Sequence, residues 1–520
     1  MAVTPDAALN PIEEPGIQPP STAGMTTKVV KGSMWTLIGQ IAPLAISFLT
    51  APIVIRLLGA EGYGVLVLIG LIPAYFAFAD LGMGIASTRF ASRAYAEGSP
   101  AEEARLVRTA ALIALIAATP VAAALVIFSS QLVTFLNVPG HLQSDASLAL
   151  RFAAATFVIT LLNGIFNTPQ LTRLRMDLNT LVTVGFRIVG LIATPLVLFL
   201  GGSIAAVVFV LMVASLLALV GHLLVSRRLL RHLFELTIEP AAIRPMLRYG
   251  AALAGAGVAG VLLLNLEKLV LARTTSVETL AYYSVAFTLA MMMTTLSASM
   301  TQSLIPAFSQ ILAPEKRAQL NSLFSRAFRI NIIVMLPVLA VLVVVARPFF
   351  TLWAGEDFGR DSTVPFYILL IGLAFAINNY VPMSLLLAAG KTDAIAKLYW
   401  GELLPYLALI AVLTYQFGAR GAAAAWTLRI VIDTVLVSWI STTTAGVSYQ
   451  LVGAKWQSLL LLFATLAPLI AVALLAGFSY WLLFVLPLFL AAYAALAWSR
   501  FLASEEKSWL IDRLGLVFGR

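Results

Sequence analysis

Residues 34–84 read MWTLIGQIAPLAISFLTAPIVIRLLGAEGYGVLVLIGLIPAYFAFADLGMG. Two apolar runs, 33–57 and 63–88, flank the short segment Gly59–Gly62. About 20 mostly apolar residues suffice for a helix to cross the hydrocarbon core of a bilayer, and each run is that long. Gly59, Gly62 and Gly64 permit a tight reversal between them, because glycine reverses the backbone at no steric cost. The segment therefore reads as a hairpin of two membrane-crossing helices.

Composition extends that reading to the whole chain. Of 520 residues, 61% are hydrophobic and 11% charged, with a mean hydropathy of +0.96. A soluble domain carries about 25% charged residues to cover its surface. Bilayer must do the covering here. The net charge of +9 and pI near 9.7 do not point to nucleic acid, since the Lys and Arg lie in small groups between apolar runs. The chain has no cysteine, which excludes disulfides and cysteine–zinc sites. His141, His222 and His232 lack the spacing of a helical metal pair, and no phosphate-binding loop is visible. No metal or cofactor is expected.

The same ruler gives spans near 33–57, 63–88, 108–128, 148–168, 179–200 and 204–225. A second set falls near 249–272, 281–304, 328–352, 365–388, 398–416 and 420–443, and two more near 457–476 and 479–500. The expected architecture is thus an all-α polytopic membrane protein of about fourteen helices. Connections after odd-numbered spans carry few bases. Those after even-numbered spans are basic, with Arg89, Arg93, Arg105 and Arg108, then Arg173 and Arg175, then Arg227, Arg228, Arg231, Arg244 and Arg248. The alternation continues through Lys316 and Arg317, Lys391 and Lys397, and Lys455. Basic loops stay in the cytoplasm, so both termini are expected there. Residues 1–27, rich in proline and lacking the basic start and apolar run of a signal peptide, are expected to be a disordered tail.

A shift of 217 positions superposes one half on the other. Pro120-Val121 falls on Pro337-Val338, Thr134 on Thr351, Arg56 on Arg273, Ser92 on Ser309 and Gly201 on Gly418. Each half then holds six spans, an even number, so the copies enter the membrane in the same orientation. Parallel repeats of this kind belong to transporters that rock two lobes about a central cavity. The expected divisions are a tail to 27, an N-lobe at 28–228, a C-lobe at 229–445, two further helices at 446–503, and a tail at 504–520.

Local motifs add a family. Lys31-Gly32-Ser33-Met34-Trp35 opens the first span, Leu57–Gly64 forms the first reversal, Asp80-Leu81-Gly82-Met83-Gly84 sits late in the second, and Phe90-Ala91-Ser92 follows. Together they resemble the polysaccharide flippase branch of the MOP superfamily, which also holds MATE drug exporters and lipid II flippases. The resemblance implies movement of an undecaprenyl-pyrophosphate-linked oligosaccharide from the cytoplasmic to the periplasmic leaflet of the bacterial inner membrane. Membrane lipids, a polysaccharide polymerase and other assembly proteins are the partners it implies. A MATE-like drug or cation antiporter is the alternative within transport, although twelve spans are usual there. A membrane polymerase or glycosyltransferase is the alternative outside it, disfavoured by short outer loops without a convincing acid pair.

Ionisable residues inside spans are costly and usually face a cavity or one another. Here they are Asp80, Arg187, Glu267, Lys268, Glu402, Arg429 and Asp433. Arg187, Arg429 and Lys268, with Arg56 and Arg273 at the span ends, are the candidates for meeting a pyrophosphate. Asp80, Glu402 and Asp433 are the candidates for carrying a coupling proton. Arg429 and Asp433 stand four apart on one helical face and are expected to neutralise each other. Glu267 and Lys268 diverge by about 100° and have no need to pair. Arg56 and Arg273 are expected to snorkel to the interface. No acid stands three or four positions from Arg187, so its partner must come from another span or from the substrate.

Overall fold

Long apolar stretches with few glycines in their interiors fold as helices, and among the described residues every regular element is helical. The computed structural model describes residues 22–235, 237–302, 304–447, 464–472, 481–501 and 507. The first half comprises α1 (Thr22–Tyr75), α2 (Met83–Ala96), α3 (Pro100–Ile127), α4 (Ser129–Phe135) and α5 (Gln143–Phe166). It continues through α6 (Thr168–Thr172), α7 (Met176–Phe199) and α8 (Ile204–Leu229). The second half comprises α9 (Pro240–Thr274), α10 (Val277–Gln302), α11 (Leu304–Ser309), α12 (Arg317–Ala354), α13 (Glu356–Asp361), α14 (Thr363–Ala388) and α15 (Thr392–Ala445). A helical stretch at 464–472 and α16 (Trp481–Leu496) follow.

Two of these helices fold back on themselves. α1 reverses at Gly59 (φ 71°, ψ 173°) and α15 at Gly418 (φ 56°, ψ −132°). Both conformations are closed to residues bearing a Cβ, which is why single glycines make the reversals. The 217-residue offset carries α5 onto α14, α7 onto the first limb of α15 and α8 onto the second. Gly201, the offset partner of Gly418, also has positive φ (84°).

Three expectations need correction. The second span is not continuous over 63–88. α1 ends at Tyr75, a 3-10 turn covers Ala77–Asp80, and Leu81 (φ 52°) and Gly82 (φ 71°) are left-handed before α2 begins. Pro73 removes a backbone donor near the break, and Asp80 supplies a substitute acceptor for the freed N–H groups. α1 begins at Thr22, inside the expected tail 1–27, of which residues 1–21 lie outside the described residues. Helices also overrun the hydrocarbon estimate at their basic ends, as with α9 from Pro240 and α12 from Arg317. Parts of the last two expected spans, at 457–463, 473–476 and 479–480, lie outside the described residues, as does the expected tail 504–520 except Lys507.

The main core joins the two halves. Ile55, Val65, Leu68 and Ile69 of α1 pack with Leu271 of α9, Val277 and Tyr283 of α10, and Phe350 of α12. At its centre a Cβ on Gly64 would lie 1.8 Å from the Val277 carbonyl oxygen, so α1 and α10 cross backbone against backbone. Small residues allow such an approach where packing rather than hydrophobicity drives helix association. Outside the core, Phe199, Leu200, Leu404 and Phe484 are 75–83% exposed. Apolar exposure on this scale is tolerated only where lipid replaces water. The chain is a multi-pass membrane protein.

Candidate functional site

At one end the halves are held together by paired contacts. The Arg56 guanidinium donates to the Leu352 carbonyl at 2.5 Å, linking α1 to α12. The Arg273 guanidinium lies 5.0 Å from the centre of the Phe135 ring, and its carbonyl accepts from the Asn137 amide at 2.6 Å. Phe135 and Leu352 stand at the same 217-residue offset as Arg56 and Arg273. Each arginine thus reaches the equivalent place in the opposite half. Both side chains are exposed, and each engages a carbonyl or an aromatic face of the other half. The Trp353 indole donates to the Phe48 carbonyl at 3.2 Å, and its ring stacks with Phe48 and Phe349.

Towards the other end α1 and α10 take different neighbours. Gly32 and Gly39 bring α1 onto Met176 and Thr180 of α7. Ser297 of α10 instead donates to the Asn331 side chain of α12, whose amide donates to the Ile377 carbonyl of α14. On the opposite seam α2 and α9 stay together. A Cβ on Gly250 would come within 2.2 Å of the Leu81 carbonyl oxygen, and Met246 and Ala242 of α9 pack with Met83 and Ala86 of α2.

The second half encloses most of the buried charge. Glu402 and Arg429, on the two limbs of α15, form an ion pair of 3.1 Å, and Arg429 also donates to the Leu263 carbonyl of α9 at 3.3 Å. The expected Arg429–Asp433 pair is not formed. The Arg429 fork reaches across to the facing limb, and Asp433 accepts from the Asn379 amide at 2.6 Å instead. Glu267 and Lys268, expected to diverge, lie 3.8 Å apart because the Lys268 stem bends back towards its own helix. Lys268 also donates to Asn265 at 2.9 Å and sits 4.0 Å over the Phe287 ring, while the Tyr406 hydroxyl donates to Glu267 at 3.3 Å. This leaves three acids against two bases. Glu402 Oε1 and Asp433 Oδ1 are buried and have no hydrogen-bond partner. Arg429, Asp433, Asn379, Tyr380 and Tyr399 face a cavity of about 540 Å³.

The remaining expected residues stand apart from that network. Asp80 accepts from the Gly82 and Gly84 N–H groups at 2.8 and 3.4 Å, capping the break before α2. With Tyr75, Thr88 and Asn167 it lines a cavity of about 510 Å³ between the first half and α9. Arg187 is exposed on α7 and makes no ion pair or hydrogen bond with any described residue. Leu191, one turn further on, lines a cavity of about 430 Å³ within the first half. Sequence reasoning missed the clasp of Arg173 on fully buried Glu103, at 2.6 and 3.0 Å. It also missed the chain from buried Gln170 through buried His222 to exposed Thr183, with both contacts at 3.0 Å. A lone histidine inside an apolar span was the signal available for the latter.

A family model described as "Polysaccharide biosynthesis protein" matches residues 29–312. A Shigella flexneri protein named "Putative O-antigen transporter" is 22% identical over 431 residues, covering 81% of this chain and 99% of that protein. The Escherichia coli lipopolysaccharide biosynthesis protein WzxC is 28% identical over 229 residues, 44% of this chain and 46% of its own length. Among solved structures, the lipid II flippase MurJ in an inward closed conformation superposes with a TM-score of 0.70 at 13% identity, covering 90% of this chain and 98% of that one. A MATE family multidrug transporter of the MOP superfamily superposes at 0.64 inward-facing, with 13% identity, 79% of this chain and 98% of that one. These structures share the fold.

Proposed function

The chain belongs to the polysaccharide biosynthesis protein family, and from that premise we propose that it flips a polyprenyl-pyrophosphate-linked oligosaccharide across the bacterial inner membrane by alternating access. A sugar–pyrophosphate head cannot cross hydrocarbon unaided, because each unpaired polar group there costs several kcal/mol. A carrier must therefore offer the head a wet passage that opens sideways, so that the polyprenyl tail stays in lipid.

One observation carries this reading. The halves are latched at the Arg56, Arg273 and Trp353 end, while α1 and α10 take separate neighbours towards the other end. That is the geometry of a carrier closed on one side and able to admit a head group laterally on the other. With both termini in the cytoplasm, as the loop charges indicate, the latched end is periplasmic. The relatives named for O-antigen transport and lipopolysaccharide biosynthesis support the substrate class. A polymerase that lengthens the saccharide acts on the product of this step.

Residue roles follow from occupancy. Arg429 and Lys268 already have carboxylate partners, so their role is to hold Glu402 and Glu267. Arg187 has none among the described residues, and its planar fork suits a pyrophosphate. Glu402 and Asp433, each with a buried carboxyl oxygen that lacks a partner, carry the coupling proton, and Asp80 serves as a cap that shapes the passage. In a strain lacking the gene, expression of the wild-type protein should restore surface polysaccharide, while Arg187→Ala should insert normally and fail to restore it. Full export with a well-expressed Arg187→Ala protein would remove Arg187 from substrate contact.

A further inference from the structure

The middle of α2 and the first turns of α9 face each other across a cleft of about 1110 Å³. Arg89 and Phe90 line it from α2, and Arg244, Pro245, Arg248 and Tyr249 from α9. The walls are fixed by the backbone contact between Gly250 and Leu81 beside them. Tyr249 is held edge-on by Phe90 at 6.3 Å, and the Arg89 guanidinium lies over its ring at 4.1 Å. The ring therefore positions one guanidinium plane at the cleft.

Three guanidinium groups meet here without an acid. None of Arg89, Arg244 and Arg248 forms an ion pair with a described residue. Three carboxylates of the adjoining elements are engaged elsewhere, Glu97 by Arg93 at 2.8 Å, Glu239 by Arg105 at 3.2 Å and Glu103 by Arg173 at 2.6 Å. Arg244 and Arg248 stand four apart on one face of α9, where like charges repel. Such a cluster keeps its geometry most readily with an anion between the forks, and guanidinium matches phosphate oxygens two at a time. Apolar side chains of α9 complete the lining, and the volume exceeds what a bare inorganic ion would fill. We propose that this cleft binds the phosphate-bearing headgroup of a lipid.

Two lipids carry that chemistry: a polyprenyl pyrophosphate and an anionic phospholipid of the cytoplasmic leaflet. Only the first depends on the chain being a carrier. The test uses the full-length protein in neutral detergent, with thermal unfolding followed as farnesyl pyrophosphate, dioctanoyl phosphatidylglycerol or dioctanoyl phosphatidylcholine is added. At least one anionic probe should raise the midpoint saturably, and the Arg244→Gln/Arg248→Gln protein should need at least tenfold more of it. A stronger response to farnesyl pyrophosphate identifies the carrier's cargo, and a stronger response to phosphatidylglycerol identifies a bilayer lipid. Arg89→Gln, on the other wall, provides the same comparison if the double variant does not fold. Equal affinity in wild type and variants, or equal stabilisation by phosphatidylcholine, would overturn the site. Arginine-dependent binding by a protein that flips nothing would defeat the carrier reading and leave this site standing.

Discussion

Replacing Arg429 with alanine tests the buried network most severely. Arg429 and Glu402 have side chains 8% and 7% exposed and meet at 3.1 Å. Removing one partner of a buried pair strands the other charge, which typically costs about 3–5 kcal/mol. The stranded carboxyl has one escape, which is to take up a proton. Holding protonated a group with an ordinary pKa of about 4.3 costs about 3.7 kcal/mol at pH 7, at about 1.36 kcal/mol per pH unit. Proton uptake therefore caps the loss near 4 kcal/mol at pH 7. The sign of the pH dependence follows, because the variant's folded state binds a proton that its unfolded state releases. Its deficit should fall to about 1 kcal/mol at pH 5. Glu402→Gln should cost less, since Arg429 keeps Asp433 one turn away on its own helix. The pair Arg429→Ala/Glu402→Gln should recover about 1–3 kcal/mol relative to Arg429→Ala alone. Denaturant unfolding of purified protein in mild detergent at pH 5 and pH 7 measures all four species. A deficit for Arg429→Ala that is below 1 kcal/mol, or that grows on acidification, would refute the ion-pair account.

Three further outcomes can be checked separately. Asp433→Asn should remove one proton-carrying carboxyl and abolish dependence of transport on the proton gradient, so retained gradient-dependent transport would exclude Asp433 from coupling. The chain has no native cysteine, so Phe48→Cys/Trp353→Cys can be bridged by a short bifunctional reagent without background. Bridging should stop transport by fixing the latch, and undiminished transport by the bridged protein would show that this end need not open. Reporter fusions after His141 and Ser362 should report periplasm, and fusions after Arg175 and Arg231 cytoplasm; a cytoplasmic signal at His141 would invert the proposed orientation.

The membrane-spanning character and most helix positions were legible in the sequence because lipid allows only one inexpensive solution for a single apolar segment, the helix. Gly418 was found through its offset partner Gly201, and the left-handed backbone at both positions is the physical content of that match. The broken second span was not legible, because 63–88 is apolar apart from Asp80 and the break depends on that side chain turning back onto the N–H groups of Gly82 and Gly84. Partner choice inside the membrane was the weakest reading. Helical spacing put Arg429 with Asp433, but tertiary packing brought Glu402 closer from the facing limb of α15. Spacing describes neighbours along one helix and is silent about the helix opposite. The Arg89–Arg244–Arg248 cleft looked in sequence like ordinary basic loop residues, and only the close packing of α2 on α9 gathers them.

The central claim is that the protein moves a lipid-linked saccharide between leaflets. Purified protein reconstituted into vesicles with a short polyprenyl-pyrophosphate-linked oligosaccharide on the inner leaflet permits a direct test, read as accessibility of the sugar to an impermeant lectin. Wild-type protein should make most of the inner pool accessible, and Arg187→Ala should leave it shielded. Movement of a cationic dye against a proton gradient, with the saccharide still shielded in wild-type vesicles, would contradict the account and favour a drug antiporter instead.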